Sequence, residues 1–280
     1  MIKVKIYGGL GNQMFQYAMG RALALRNNAE LCLDISWFDS NHSGNMGRRL
    51  GINNLNIEAR LLGGGFGNLA SKVFIVLGMI KVIKEKTLFN FDQSILKIKD
   101  GRLDGFWQNE NYFKDYEDQI TQDFTLRKPL SNNAQEILNK INNSTSVAIH
   151  IRRGDYVNNQ ETNKFHGICS VEYYHKAISL INSKIADPYF FIFSDDIEWV
   201  KENLKIKDPV NWVSGNQLSE VEELILLSKC QHQIIANSSF SWWGAWLNKN
   251  VNKVVIGPKN WINSDVYDTS GLLPESWLKL

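Results

Sequence analysis

Charge of one sign is the first thing this chain lacks: 31 Lys and Arg stand against 29 Asp and Glu, a formal net of +2. No global field is available to attract nucleic acid, so a nucleic-acid partner is not expected. Cysteine is scarce. Cys32, Cys169 and Cys230 lie far apart with no CxxC spacing, which argues against a disulfide framework or a zinc site and for a reducing compartment. Long hydrophobic runs are missing as well. The longest, Val73–Ile83, is interrupted by Lys81 and falls short of the roughly 20 residues that span a bilayer. It reads as a buried helix; flanked by Lys72, Lys84 and Lys86, it reads less well as a monotopic membrane contact. The opening MIKVKIYGGLGNQ enters a strand-like run without the apolar region and cleavage site of a signal peptide. The expectation is a cytoplasmic protein, with at most peripheral contact at the inner face of the cytoplasmic membrane. Neither a fixed-period repeat nor a low-complexity segment is present.

What the chain does have is apolar mass: 44% of its 280 residues are hydrophobic, enough for one large domain or two modest ones. Residues 2–7 alternate like a strand, Gly8, Gly9 and Gly11 break the pattern, and Met14–Leu25 resumes at helical spacing, with Leu31–Ile35 a second short strand. Strand, glycine turn, helix, strand is the opening of a doubly wound α/β unit. The stretch from 40 to 135 is harder to read, with a glycine-rich turn at Gly63–Gly67 and a polar aromatic segment at Phe106–Tyr116. A fresh α/β pattern follows the polar run Asn139–Ser146. It predicts strands at Val147–Ile151, Tyr189–Phe193, Asn211–Val213, Gln233–Ala236 and Val254–Ile256. Helices are predicted at Val171–Asn182, Ile197–Leu204, Glu220–Lys229 and from Ser241. The fold class expected is α/β, as two Rossmann-like domains, 1–138 and 139–280.

Four constellations carry chemistry. His150-Ile151-Arg152-Arg153-Gly154-Asp155-Tyr156 stands where a strand gives way to a loop, the edge at which open α/β sheets bind ligands. Alternation puts His150 and Arg152 on one side and Ile151 on the other. Adjacent guanidiniums repel each other and match phosphate bidentately, so they imply an anion; a salt bridge to Asp155 or a neighbouring carboxylate is the plainer reading. In Ala236-Asn237-Ser238-Ser239-Phe240-Ser241-Trp242-Trp243 an apolar strand runs into small hydroxyl residues at a helix start. That is a ready anion site, or an ordinary N-cap with core tryptophans. Gly8-Gly9-Leu10-Gly11-Asn12-Gln13-Met14 shares only the G-x-G of the dinucleotide fingerprint, since Met14 replaces its third glycine. Asp34 could still serve as a ribose-binding acid, whereas Asn12 and Gln13 look like donors aimed at a ligand. Phe193-Ser194-Asp195-Asp196 could bind a ribose, a guanine edge or a divalent metal, or merely cap the next helix. With no other acid cluster present, the arginine pair is expected to neutralise a diphosphate without metal.

YGGLGNQMFQYAMGRALA, HIRRGDY, FIFSDD and NSSFSWWGAWL, in this order across residues 7–247, resemble glycosyltransferase family 11, the alpha-1,2-fucosyltransferases, and its bacterial members in particular. The resemblance implies a GT-B fold, in which the two Rossmann-like domains face each other across a cleft, acceptor side first. It also implies a GDP-β-L-fucose donor bound by residues 139–280, a galactose-containing oligosaccharide or lipid-linked glycan as acceptor, inversion at the anomeric carbon, and no metal or other cofactor. By the same resemblance Arg152, Arg153 and His150 hold the donor. Ser238, Ser239 and Phe240 take its diphosphate, Asp195 or Asp196 its nucleoside, and Gly11, Asn12 and Gln13 face phosphate or sugar from the opposite side. Asp155, Glu161 and His166 are the residues from which a general base could come, His166 having the most suitable ordinary pKa. Three alternatives stay open: another GDP-sugar transferase, an NAD(P)-binding oxidoreductase built on Gly9, Gly11 and Asp34, and a noncatalytic carbohydrate-binding protein suggested by 9 Trp and 9 Tyr.

Overall fold

The computed structural model describes residues 1–39, 48–63, 81–154, 157, 160–264 and 266–280. The glycine-rich turn at 63–67 apart from Gly63, and residues 73–80 of the apolar run, lie outside them. The end of that run is not helical: Val82 and Ile83 open a strand. The chain separates into two compact units, Met1–Arg127 with Ser270–Leu272, and Lys128–Thr269 with Leu273–Leu280.

The first unit is built on a five-stranded sheet of β1 (Ile2–Lys5), β2 (Leu31–Asp34), β3 (Arg60–Leu62), β4 (Val82–Lys84) and β5 (Gly101–Asp104), in the order β3-β2-β1-β5-β4. Every pairing is parallel, with Ile2 opposite both Leu31 and Gly101. Helix α1 (Leu10–Arg26) covers it, burying Met14, Phe15, Tyr17, Ala18, Ala22 and Leu23. Each such large apolar side chain contributes about 1.5–3 kcal/mol on leaving water. The helix can lie this close because of Gly20: a Cβ there would sit 2.3 Å from Val4 Cγ2 and 3.0 Å from Leu31 Cδ1. It also starts earlier than its apolar spacing predicts, since the Asn12 and Gln13 amides already donate to Gly9 O. Helix α2 (Glu117–Asp123) ends on Asp123, whose buried carboxylate takes hydrogen bonds from Tyr17 at 2.7 Å and Arg21 at 2.9 Å.

The second unit holds six strands, β6 (Thr145–Ile151), β7 (Pro188–Ser194), β8 (Val210–Trp212), β9 (His232–Ile234), β10 (Val255–Gly257) and β11 (Leu278–Lys279), again all parallel, in the order β11-β10-β9-β6-β7-β8. Its helices are α3 (Asn132–Asn142), α4 (Gln160–His166), α5 (Val171–Lys184), α6 (Ile197–Asn203), α7 (Glu220–Lys229) and α8 (Ser239–Trp246). The period-two rule of strands explains the two cores. Val147, Ile149, Ile151, Phe190 and Ile192 face α5 residues Tyr174, Ala177, Ile178 and Ile181. Ala148, Phe191 and Phe193 face Ala134, Ile137 and Ile141 of α3 and Leu226 and Leu227 of α7. Because α3 packs into this second core, the division between units falls after Arg127, ahead of the polar run that marked it in the sequence.

Candidate active site

The six-stranded sheet reverses its strand order at one point, and there the loops leaving adjacent strand ends part to leave a crevice for a ligand. In the second unit that point lies between β6 and β9, with β7 next to β6 on the far side. Three of the sequence constellations therefore meet at one edge: the arginines after β6, the serine segment after β9, and the acids after β7.

The arginines are held by the two acids that follow β7. Asp195 accepts the Arg153 backbone N–H at 2.8 Å through Oδ1, and its Oδ2 lies 3.0 Å from Arg152 Nη1. Gly154 makes room for this carboxylate, since a Cβ there would meet Asp195 Oδ2 at 2.7 Å. Arg153 Nε donates to Asp196 Oδ2 at 3.3 Å, and its guanidinium carbon stands 3.5 Å from the centroid of the Trp199 ring. Asp196 also caps α6, accepting from the Trp199 amide at 3.4 Å. The structure thus spends both acids on the arginines and the helix cap, where the resemblance implies a nucleoside contact. The Asp195–Arg152 pair keeps about a fifth to a quarter of each side chain in water, 22% and 25%. Each side chain thus keeps a solvent-facing part, through which a phosphate can enter the guanidinium field.

Helix α8 begins beside them. Ser238 is its N-cap, yet its side chain makes no capping hydrogen bond, and the first-turn amides have no acceptor inside the helix. Hydroxyl, amides and helix dipole together suit an anion. Ser239 and Phe240 lie in this first turn, one turn-half earlier than the sequence pattern placed it. Asn237 is structural instead: its Nδ2 donates to His166 O at 2.8 Å, Trp261 O at 3.2 Å and Gly167 O at 3.3 Å. That bond ties the end of α4, and with it His166, to the serine loop. His150 stands behind the site, its ring 5.4 Å from that of Phe240. Burial first, and the Arg152 charge second, push its pKa down to about 3, so the imidazole is neutral at working pH. Its buried Nδ1 has no hydrogen-bond partner among the described residues. Asp155 lies outside the described residues.

In the first unit β5 lies beside β1, and the chemistry after these two strand ends differs. The rings of Tyr7 and Phe106 meet edge to face at 5.0 Å, Trp37 stands 6.4 Å from Tyr7, and all three are half-buried. Gln108 Nε2 donates to Asn12 Oδ1 at 2.7 Å. Glu85 holds the loop after β5 by accepting the Phe106 amide at 2.7 Å and the Trp107 amide at 3.1 Å. Gln13 does not fit the role expected of it. Fully buried, it donates to Gly8 O and Arg49 O, both at 2.9 Å, and accepts from the Gly51 and Ile52 amides at 2.9 and 3.1 Å. Its amide is saturated within the fold and has nothing left for a ligand. Gly11 is likewise buried in the first turn of α1. Asp34 is engaged by Arg102 at 2.7 Å and by the Ser36 amide at 3.1 Å, leaving the dinucleotide reading without its ribose acid.

With this geometry in hand, comparison with known proteins decides the family. The sequence profile of glycosyl transferase family 11 matches residues 86–279. The chain belongs to glycosyltransferase family 11. Its relatives include an Escherichia coli alpha-1,2-colitosyltransferase, 34% identical over 100% of this chain and 99% of the relative. A second is the E. coli O-antigen biosynthesis glycosyltransferase WbnK, 32% identical over 98% of each chain. The bovine galactoside 2-alpha-L-fucosyltransferase SEC1 is 31% identical over 52% of this chain and 42% of its own length. The protein is therefore a glycosyltransferase, and two parallel-sheet α/β units are the composition of the GT-B class. Among the described residues no helix is long and apolar enough to cross a membrane, and no cluster of His, Cys, Asp and Glu could hold a metal ion.

Sequence reading missed Trp199, Phe106, Gln108 and Glu85. For Trp199 a signal existed: an aromatic three residues after the N-cap Asp196 lies beside the cap, where a neighbouring guanidinium can stack. Phe106 and Gln108 come to the site by β5 pairing with β1, a contact across about a hundred residues, and Glu85 by β4 pairing with β5 across about twenty, and no local pattern carries either.

Proposed function

We propose that the enzyme is an inverting alpha-1,2-fucosyltransferase that moves L-fucose from GDP-β-L-fucose to the 2-hydroxyl of a galactose-type residue in an oligosaccharide or O-antigen glycan. The observation that carries the reading is the convergence of Arg152, Arg153 and the Ser238–Phe240 helix start at one strand-end crevice. The diphosphate sits on the arginines and the α8 amides, with His150 and Phe240 beside it. As the acceptor oxygen forms its bond to the anomeric carbon, the bond to the β-phosphate oxygen breaks and GDP leaves with the electron pair. The charge that develops there falls on donors already fixed in place, which is where preorganisation lowers a barrier most. The guanidiniums supply that charge compensation without a divalent metal. The acceptor hydroxyl gives up its proton to a base on the segment after the arginines, where Asp155 and His166 have suitable chemistry. Aromatic faces and paired amides after β1 and β5 of the first unit, with Asn12 among them, suit a neutral sugar better than a phosphate, and we assign the acceptor to them.

Transfer of a different GDP-activated sugar is the second reading, favoured by the full-length similarity to a colitosyltransferase. A panel of GDP-sugars with one galactoside acceptor separates the two: GDP-fucose as best donor supports the first, and transfer from another GDP-sugar alone overturns it.

A further inference from the structure

Behind the arginine clamp runs a chain of hydrogen bonds that the reaction as described does not use. Glu223, in the first turn of α7, accepts from Ser214 Oγ at 2.8 Å, and the same oxygen accepts the Ser194 amide at 3.0 Å. Ser194 Oγ in turn accepts the Asp196 amide at 3.0 Å. Ser194 is the last residue of β7, and the next two residues are the acids that hold Arg153 and Arg152. Ser194 and Ser214 are buried, so an unmade bond at this point carries a desolvation penalty. A solvent-facing helix residue has no need of such a chain; a carboxylate turned inward onto a strand end does.

We propose that Glu223 is a positioning residue of the donor site, fixing the end of β7 through Ser214 and thereby the Asp195 and Asp196 carboxylates that set the arginines. The proposal rests on the donor reading above. The charged groups acting on Glu223 are Glu220 on its own helix and Asp195 at the end of β7, both acidic. Its neighbour Glu222 is turned away, onto the Ser219 and Ser131 amides. Burial first, then these two carboxylates, raise the Glu223 pKa to about 7. Its charge therefore changes across neutral pH, and an added negative charge acting on Asp195 acts against the diphosphate as well.

The test compares Glu223→Gln, which keeps an acceptor for Ser214 and loses the charge, with Glu223→Ala, which loses both, and Ser214→Ala, which cuts the chain without touching α7. Donor and acceptor KM are measured with GDP-fucose from pH 6 to 8, together with hydrogen exchange of the Ser194–Asp196 amides. Expected for wild type is a donor KM rising about threefold across that range, flat in Glu223→Gln. Glu223→Ala or Ser214→Ala should raise donor KM about tenfold, leave acceptor KM unchanged and speed exchange at 194–196. Unchanged donor KM and exchange in both alanine variants overturns the proposal, as does a wild-type pH profile in Glu223→Gln. If wild type binds no GDP, the donor reading fails, while the exchange measurement still decides whether Glu223 holds the strand end.

Discussion

Replacing Arg152 with alanine tests the donor site at its centre. The change removes one fixed positive donor, and loss of one such group facing a developing oxyanion costs about 10²–10³ in rate, ~2.7–4 kcal/mol. It also strips Asp195 Oδ2 of the guanidinium 3.0 Å away, and an Asp195 charge without that counter-ion adds about 1–2 kcal/mol of repulsion toward a bound phosphate. The two effects act in the same direction, so kcat/KM should fall by about 10³ or more. The second effect can be isolated. In the double variant Arg152→Ala/Asp195→Asn the repulsion is gone and the missing donor remains, so about tenfold of the loss should return. Steady-state transfer from GDP-fucose, with GDP affinity by calorimetry and folding by circular dichroism, supplies every number needed. A folded Arg152→Ala enzyme within tenfold of wild type removes Arg152 from the site. A double variant no better than the single one shows that Asp195 does not share the anion's field.

Gln13→Ala should cost about 2–4 kcal/mol of stability, because it leaves the buried Gly51 and Ile52 amides without their acceptor; denaturant unfolding that shifts by under 1 kcal/mol would return Gln13 to the list of ligand contacts. Trp37→Ala should raise acceptor KM about fivefold to tenfold, by loss of an aromatic face, and leave donor KM alone; a change confined to the donor would refute the acceptor assignment. Glu85 has its pKa raised to about 6 by burial, above its unfolded value, so its stabilising contribution is complete below about pH 4.5 and is lost as pH rises through 6. The stability of wild type relative to Glu85→Gln should accordingly fall by about 1–2 kcal/mol between pH 4.5 and 7, and a flat difference across that range would show that the carboxylate is not buried as described. Asn237→Ala should loosen the 166–167 and 261 backbone it anchors, seen as faster hydrogen exchange there; unchanged exchange would detach His166 from the serine loop.

The second unit was largely legible in the sequence because its strands are buried on both faces and end abruptly in charged or hydroxyl residues. Phe190 to Phe193 announce such a strand, and the following Ser194-Asp195 announces its end. The arginines and serines were readable for the same reason, since each stands at a strand end and their order along the chain places three ends side by side. What local pattern could not supply was partnership. Asp195 and Asp196 read equally well as ligands for a nucleoside and as partners of Arg152 and Arg153, and only the adjacency of β6 and β7 decides between them. Gln13 was misread because a polar residue after glycines looks solvent-facing, although α1 begins at Leu10 and turns it into the fold. In the first unit, β3, β4 and β5 are three or four residues each, too short for alternation to stand out, so the β1–β5 pairing and the rings beside it stayed hidden.

We propose that the crevice at the ends of β6, β7 and β9 binds a guanosine-diphosphate sugar from which the enzyme transfers L-fucose. The direct measurement is incubation of the purified enzyme with GDP-β-L-fucose and a β-galactoside, followed by mass spectrometry and NMR of the product. The expected product is heavier by one fucosyl residue, joined in alpha linkage to the galactose 2-hydroxyl, and GDP is released with it. A product carrying fucose at another position, or no GDP release from any GDP-sugar supplied, would contradict the proposal.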